Sequence, residues 1–219
     1  DISRVDSVKR NPEFTKRLMK SYARHQSTQS SISTIYADIV SHDAESLSED
    51  TITSYINALK QLCVIEDVQA WNPNLRSKAA IRTSDTRYYI DPSIATASLG
   101  IGPKDLINDL KTMGLIFETL AIRDLRVYAE ANNGQLYHYR DKSGLECDAV
   151  IFMKDGTYGL IEIKIGGEDN ISDGAETLKV LSEKIDTDKM NAPSFLAVVI
   201  AVGDYAYKRE DGVFVLPIG

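Results

Sequence analysis

The stretch Glu146-Cys147-Asp148-Ala149-Val150-Ile151-Phe152-Met153, followed by Lys154-Asp155-Gly156 and then Tyr158-Gly159-Leu160-Ile161-Glu162-Ile163-Lys164-Ile165, decides the reading of this chain. Two runs rich in β-branched and aromatic residues flank an Asp-Gly pair, the strongest short-range signal for a β-hairpin. Side chains alternate across a strand, so Ile161, Ile163 and Ile165 point one way and Glu162 and Lys164 the other. On the partner strand, alternation puts Glu146 and Asp148 on one face with Val150 and Phe152. Pairing through the turn then sets Asp148 near the Glu162 end of its neighbour.

Outward from this hairpin the elements continue. Residues 115–130 read as a helix with Phe117, Leu120, Ala121, Leu125 and Tyr128 on one stripe, and Glu118 at the edge of that stripe. A strand at 135–140 precedes the hairpin, joined to it by Asp141-Lys142-Ser143-Gly144. After Gly166-Gly167 a helix is expected near 173–185. The continuous apolar run 195–202 reads as a buried strand, and 212–216 as a last one. The order is α-β-β-β-α-β with a mixed sheet.

Toward the N-terminus the period changes at Ser98-Leu99-Gly100-Ile101-Gly102-Pro103, where two glycines and a proline interrupt both patterns. The expected domains are residues 1–100 and 104–219. The first carries three helices. Phe14, Leu18 and Tyr22 recur at four-residue spacing after Pro12. Ile32, Ile35 and Ile39 form a short second stripe. The third helix opens with Ser46 and Glu49 at capping-box spacing and buries Ile52, Tyr55, Ile56, Leu59 and Leu62. Strand-like stretches at 64–71 and 81–90, joined through Asn72-Pro73-Asn74, complete a winged helix-turn-helix. In such folds the third helix enters the major groove. Thr53, Ser54, Asn57 and Lys60 on its outer face, with Arg82 and Arg87 on the hairpin, are therefore the expected nucleic-acid contacts.

Charge tempers that expectation. The 219 residues sum to −7, but residues 1–104 hold 13 Lys and Arg against 12 Asp and Glu, and residues 105–219 hold 12 against 20. An acidic half does not attract phosphates by its bulk field, so a nucleic-acid role there needs divalent cations. The longest apolar run is eight residues, far short of the about 20 of a membrane helix. No signal-peptide pattern opens the sequence. The chain starts without Met and reads as a piece of something longer. Cys63 and Cys147, 84 positions apart, form neither a disulfide framework nor a zinc knuckle, which favours a reducing cytoplasm. His25, His42 and His138 lack metal-ligand neighbours and read as structural or surface residues.

A helix glutamate (Glu118), a strand aspartate (Asp148) and Glu162-Ile163-Lys164 on the next strand form the set that metal-dependent phosphodiester hydrolysis uses. Carboxylate oxygens hold one or two Mg²⁺ or Mn²⁺ ions, which activate water and balance charge on the attacking and leaving oxygens. The adjacent lysine positions that water or stabilises the phosphorane. Asp148, Glu162 and Lys164 are the expected catalytic residues, and Glu118, Asp148 and Glu162 the expected metal ligands.

This order of elements and residues resembles the PD-(D/E)xK nuclease superfamily, which implies a restriction-endonuclease-like domain. The whole chain is similar to the C-terminal region of a family of AAA-type ATPases of unknown function in bacteria and archaea, where a winged helix leads into a nuclease-like domain. The matching features are Trp71-Asn72-Pro73-Asn74-Leu75-Arg76-Ser77-Lys78, Arg87-Tyr88-Tyr89-Ile90-Asp91-Pro92-Ser93-Ile94, Gly114-Leu115-Ile116-Phe117-Glu118-Thr119-Leu120, Gly144-Leu145-Glu146-Cys147-Asp148-Ala149-Val150 and Glu162-Ile163-Lys164. The resemblance implies an upstream ATPase domain as partner, DNA as a ligand and assembly into homo-oligomers. No G-x-x-x-x-G-K-[ST] occurs, so ATP hydrolysis is not expected of this chain. The helix after Glu162-Ile163-Lys164 lacks the Gln or Tyr that supports catalysis in RecB-like nucleases. A catalytically silent module that binds DNA or protein and regulates the ATPase is the alternative.

Overall fold

In the computed structural model all residues are described except 1, 3, 4, 6, 7, 42–47, 77–80, 82 and 219. The chain forms two units. The first comprises Asp1–Asp67 and Asp85–Thr119, the second Val68–Ser84 and Leu120–Gly219. The expected residues His42, Ser46, Ser77, Lys78 and Arg82 lie outside the described residues.

Helices build the first unit. In α1 (Pro12–Arg24), Asn11 caps the start by accepting the Glu13 and Phe14 amides, and Pro12 fits the first turn. Ser31 caps α2 (Ile32–Val40) and Ser48 caps α3 (Glu49–Gln61). The cap of α3 is therefore Ser48, the residue next to Glu49, and not Ser46. The stripes meet in one core, where Leu18, Tyr22, Ile35, Ile52, Ile56 and Tyr89 are almost fully buried. Two short helices not expected from the sequence follow, α4 (Pro92–Leu99) and α5 (Pro103–Asn108). α4 carries the usual punctuation, with Asp91 accepting the Ser93 amide, Pro92 at the start and Gly100 left-handed at φ 71°.

The wing expected at 64–71 and 81–90 exists only at its base. Ile65 bridges Tyr89, the Glu66 amide donates to the Tyr88 carbonyl, and the Ile90 amide donates to the Val64 carbonyl. Beyond Asp67 the chain leaves this pairing for the second unit. There Ala70 bridges His138, Leu75 bridges Ile185 and Ile81 bridges Asp141. The cause is Trp71, whose indole is 6% exposed in an aromatic cluster with Tyr139 and Tyr158. A side chain of that size gains more from burial in that core than from an exposed hairpin.

α6 (Leu110–Ala131) contributes its first half to the first unit and its second half to the second. The second unit then runs β1 (Gly134–Arg140), β2 (Glu146–Met153), β3 (Tyr158–Lys164), α7 (Glu168–Lys184), β4 (Phe195–Ile200), β5 (Tyr207–Lys208) and β6 (Phe214–Pro217). These strands make a six-stranded mixed sheet in the order β1-β2-β3-β4-β6-β5. β1, β2 and β3 are antiparallel neighbours, β4 lies parallel to β3 and to β6, and β5 is antiparallel to β6. β5 was not expected, and α7 starts about one turn earlier than its apolar stripe indicates. Ile171, Ala175, Leu178 and Leu181 of α7 pack with Val150, Leu160, Val198 and Ile200 of the sheet. Among the described residues no helix is long and apolar enough to cross a membrane.

Candidate functional site

The β2–β3 hairpin closes as its sequence dictates. Asp155 accepts the Thr157 amide at 2.9 Å and Gly156 takes φ 85°, which a side chain would resist. From this turn the register runs through Phe152–Tyr158, Ile151–Gly159 and Val150–Leu160 to Ala149–Ile161. On the other side of β2, Tyr137 pairs with Val150 but Tyr139 with Cys147, so Asp148 and Ala149 together face His138 alone. This is a β-bulge, a device that re-aims side chains and is enriched beside functional sites.

The bulge changes what Asp148 does. Its carboxylate, not a backbone carbonyl, accepts the Ile163 amide at 2.7 Å. Asp148 is thereby anchored to the peptide between Glu162 and Lys164. Glu162 is 3% exposed, and one of its oxygens accepts from the Lys164 ammonium at 2.6 Å. The other, Oε1, is buried without a hydrogen-bond partner. Lys164 keeps about a third of its side chain in solvent, so the buried carboxylate opens outward through a cation. α7 closes over the pair at Gly174, where a Cβ would meet Glu162 Cβ at 3.3 Å and Lys164 Cε at 3.4 Å.

Burial pushes the Glu162 carboxyl up to about 8; the Asp148 charge adds to this and Lys164 opposes it. Burial likewise raises Asp148, against the pull of Lys164 and the Ile163 amide. The neighbouring Cys147 thiol is raised by burial and by both carboxylates. An ionised carboxylate with an orphaned oxygen is costly away from water. Hard oxygen donors of this kind suit Mg²⁺ or Mn²⁺, and a bound cation would satisfy that oxygen. The residues present therefore fit such an ion, with Asp148 and Glu162 as its holders. Among the described residues no group of three or more His, Cys, Asp or Glu side chains is arranged to hold a metal.

The other expected site residues fall elsewhere. Glu118 belongs to the first unit, where it accepts the Tyr88 hydroxyl at 2.6 Å. Thr53 and Asn57 stand exposed on α3, and the Thr53 hydroxyl donates to the Glu49 carbonyl. Ser54 accepts from the Arg10 guanidinium at 3.2 Å. Lys60 and Arg87 both pair with Asp67, at 2.8 and 2.6 Å, and the Tyr22 hydroxyl donates to the same carboxylate. The Asp67 side chain is 2% exposed, so these two cations neutralise an internal charge. The tie to Asp67, the bulge and Gly174 escaped the sequence reading, and only the last left a trace there, as a glycine inside a helical stripe.

Residues 113–219 match a domain of unknown function, DUF4143. That domain is associated with AAA-type ATPases, so the region is an ATPase-associated one. Residues 1–105 match a second domain of unknown function, DUF8612. No curated protein matches the chain. A solved structure with likeness to it is the refined half-complex from a tetradecameric assembly of Thermococcus gammatolerans McrB AAA+ hexamers with bound McrC. The likeness is 10% identity and a TM-score of 0.35, over 95% of this chain and 72% of that one.

Proposed function

We propose that the chain is an accessory module of an AAA-type ATPase whose DUF4143-matching half hydrolyses DNA phosphodiesters with Mg²⁺ or Mn²⁺. The observation that carries this reading is Glu162, buried, with one oxygen on Lys164 and the other unpartnered, beside an Asp148 fixed to the intervening peptide. Asp148 and Glu162 hold the ion. When bound, the ion supplies Lewis-acid activation of water and charge balance at the phosphate. Lys164, kept protonated by the adjacent carboxylates, presents its ammonium at the mouth of the site, where it can donate to a phosphoryl oxygen. The α7 wall excludes water from the inner side of Glu162. In the first unit, α1–α3 and the short pairing at 64–66 and 88–90 support a winged helix, with Thr53 and Asn57 as its exposed polar surface.

The engagement of Glu118 by Tyr88 favours a second reading, in which the module is silent and binds DNA or protein to regulate the ATPase. The two separate in one assay. Purified chain is incubated with Mg²⁺ or Mn²⁺ and linear, branched or single-stranded DNA. Cleavage that disappears in both Asp148→Ala and Glu162→Ala supports hydrolysis at this site. Absence of cleavage, or cleavage that survives both substitutions, overturns it.

A further inference from the structure

Two carboxylates leave an ion with few protein ligands, and the sequence's third acid, Glu118, is occupied in the first unit. The second unit carries another candidate. Glu146 lies on β2 two positions from Asp148, a separation of about 6.6 Å at ~3.3 Å per residue. Its charge is felt by both Asp148 and Glu162 and raises the pKa of each, behind the larger effect of their burial. The backbone under Glu146 is fixed. The preceding turn is pinned by Asp141, which accepts the Ser143 amide at 2.8 Å, the Leu145 amide at 3.1 Å and the Lys184 ammonium at 3.1 Å. The side chain itself is 47% exposed and pairs with Arg140, its cross-strand neighbour, at 3.0 Å. Exposed pairs of this kind contribute little, so exchange of Arg140 for a stronger cation is easy. Arg140 is itself imperfectly satisfied, with a buried Nε that has no partner.

We infer that Glu146 is the third carboxylate of the Asp148–Glu162 site and that Arg140 latches it aside until a divalent cation enters. The inference rests on the metal-binding reading of that site. The unpartnered, almost fully buried Glu162 Oε1 is the separate observation that a cation is called for there. In the latched state Glu146 neutralises Arg140. In the loaded state it turns to the ion and leaves Arg140 free at the rim, where a second cation would face an incoming phosphate.

The test is a Mn²⁺ titration of the full chain by calorimetry, so the readout is binding and not turnover. Glu146→Gln should weaken Mn²⁺ at least roughly tenfold, the scale on which ligand environments act. Arg140→Gln should tighten it by roughly two- to fivefold, the worth of an exposed ion pair. In the Glu146→Gln background, Arg140→Gln should then change nothing. A Glu146→Gln affinity equal to that of the unaltered chain overturns the inference. Tightening by Arg140→Gln that persists without Glu146 also overturns it, because the effect would be one of general field. If the unaltered chain binds and Asp148→Asn abolishes binding while Glu146→Gln does not, the inference falls and the proposed site stands. If the unaltered chain takes up no Mn²⁺, both fall together.

Discussion

The Asp148 carboxylate accepts the amide proton of Ile163 at 2.7 Å, so a side chain of one strand takes the place of a ladder carbonyl on the next. The same bond sets structure and chemistry apart. Asp148→Ala leaves the Ile163 amide without its acceptor and should cost about 1–3 kcal/mol. Asp148→Asn keeps an acceptor oxygen and should cost less than about 1 kcal/mol while removing the charge that holds a cation. Urea unfolding of the two variants checks the difference, and Mn²⁺ binding should be lost in both. Equal destabilisation would show that the bond is not what anchors this strand end.

Asp141 gives the clearest pH dependence. Burial alone would raise its carboxyl, but the Ser143 hydroxyl, the Lys184 ammonium and the Leu145 amide outweigh this and hold it down at about 2. The unfolded value lies near 3.9. Between these values the unfolded chain binds more protons, so stability rises with pH. Asp141 thus stabilises the fold fully above about pH 4 and loses that contribution as pH falls toward about 2. Urea midpoints of Asp141→Asn should trail those of the unaltered chain at pH 5 and approach them by pH 2.5. A gap that stays constant on acidification would contradict the assignment.

Trp71 ties the segment Val68–Ser84 into the second unit. Trp71→Ala should cost about 3–5 kcal/mol, the usual penalty for emptying a large aromatic site. For the same reason a fragment cut to residues 104–219 lacks part of its own core. It should melt well below the full chain by circular dichroism, and adding residues 68–84 back on the same chain should restore it. A fragment 104–219 as stable as the full chain would rule this out.

Arg87 and Lys60 share Asp67 unequally, with 14% and 37% of their side chains exposed. Arg87→Gln removes the more buried partner and should cost about 2–3 kcal/mol, short of a fully orphaned buried charge because Lys60 remains. Lys60→Gln should stay within about 1 kcal/mol. Thermal unfolding orders the two. The reverse order would mean that Lys60 carries the neutralisation.

Much of the second unit could be read from its residues because its signals are local. The Asp155-Gly156 turn fixed the hairpin, and the apolar run at 195–200 marked a central strand. The approach of Glu162 and Lys164 followed from alternation alone. The bulge at Asp148 and Ala149 was not legible, because no glycine or proline marks it and its cause is the Asp148–Ile163 bond between strands. The wing misled for a similar reason. Residues 68–76 have strand character, and nothing in them states which partner they join; Trp71 settles that by fitting a core built 70 to 90 residues later. Lys60 and Arg87 were read as free cations because Asp67 lies far from Lys60 and Arg87 in helical or hairpin terms. α4 was the reverse case, fully signalled by Asp91, Pro92 and Gly100 yet too short to stand out by periodicity.

The segment 69–71 has one more role. It occupies β1 around His138, with the Trp71 amide donating to the His138 carbonyl and the His138 amide to that of Gln69. The opposite margin ends in β5, two residues long and carrying Lys208. Neither border of a sheet whose middle is Val- and Ile-rich thus offers a long bare template for another chain. Concentrated solutions should resist fibril formation while residues 69–71 stay docked, and proteolysis between Asp67 and Trp71 would be the event that starts clumping.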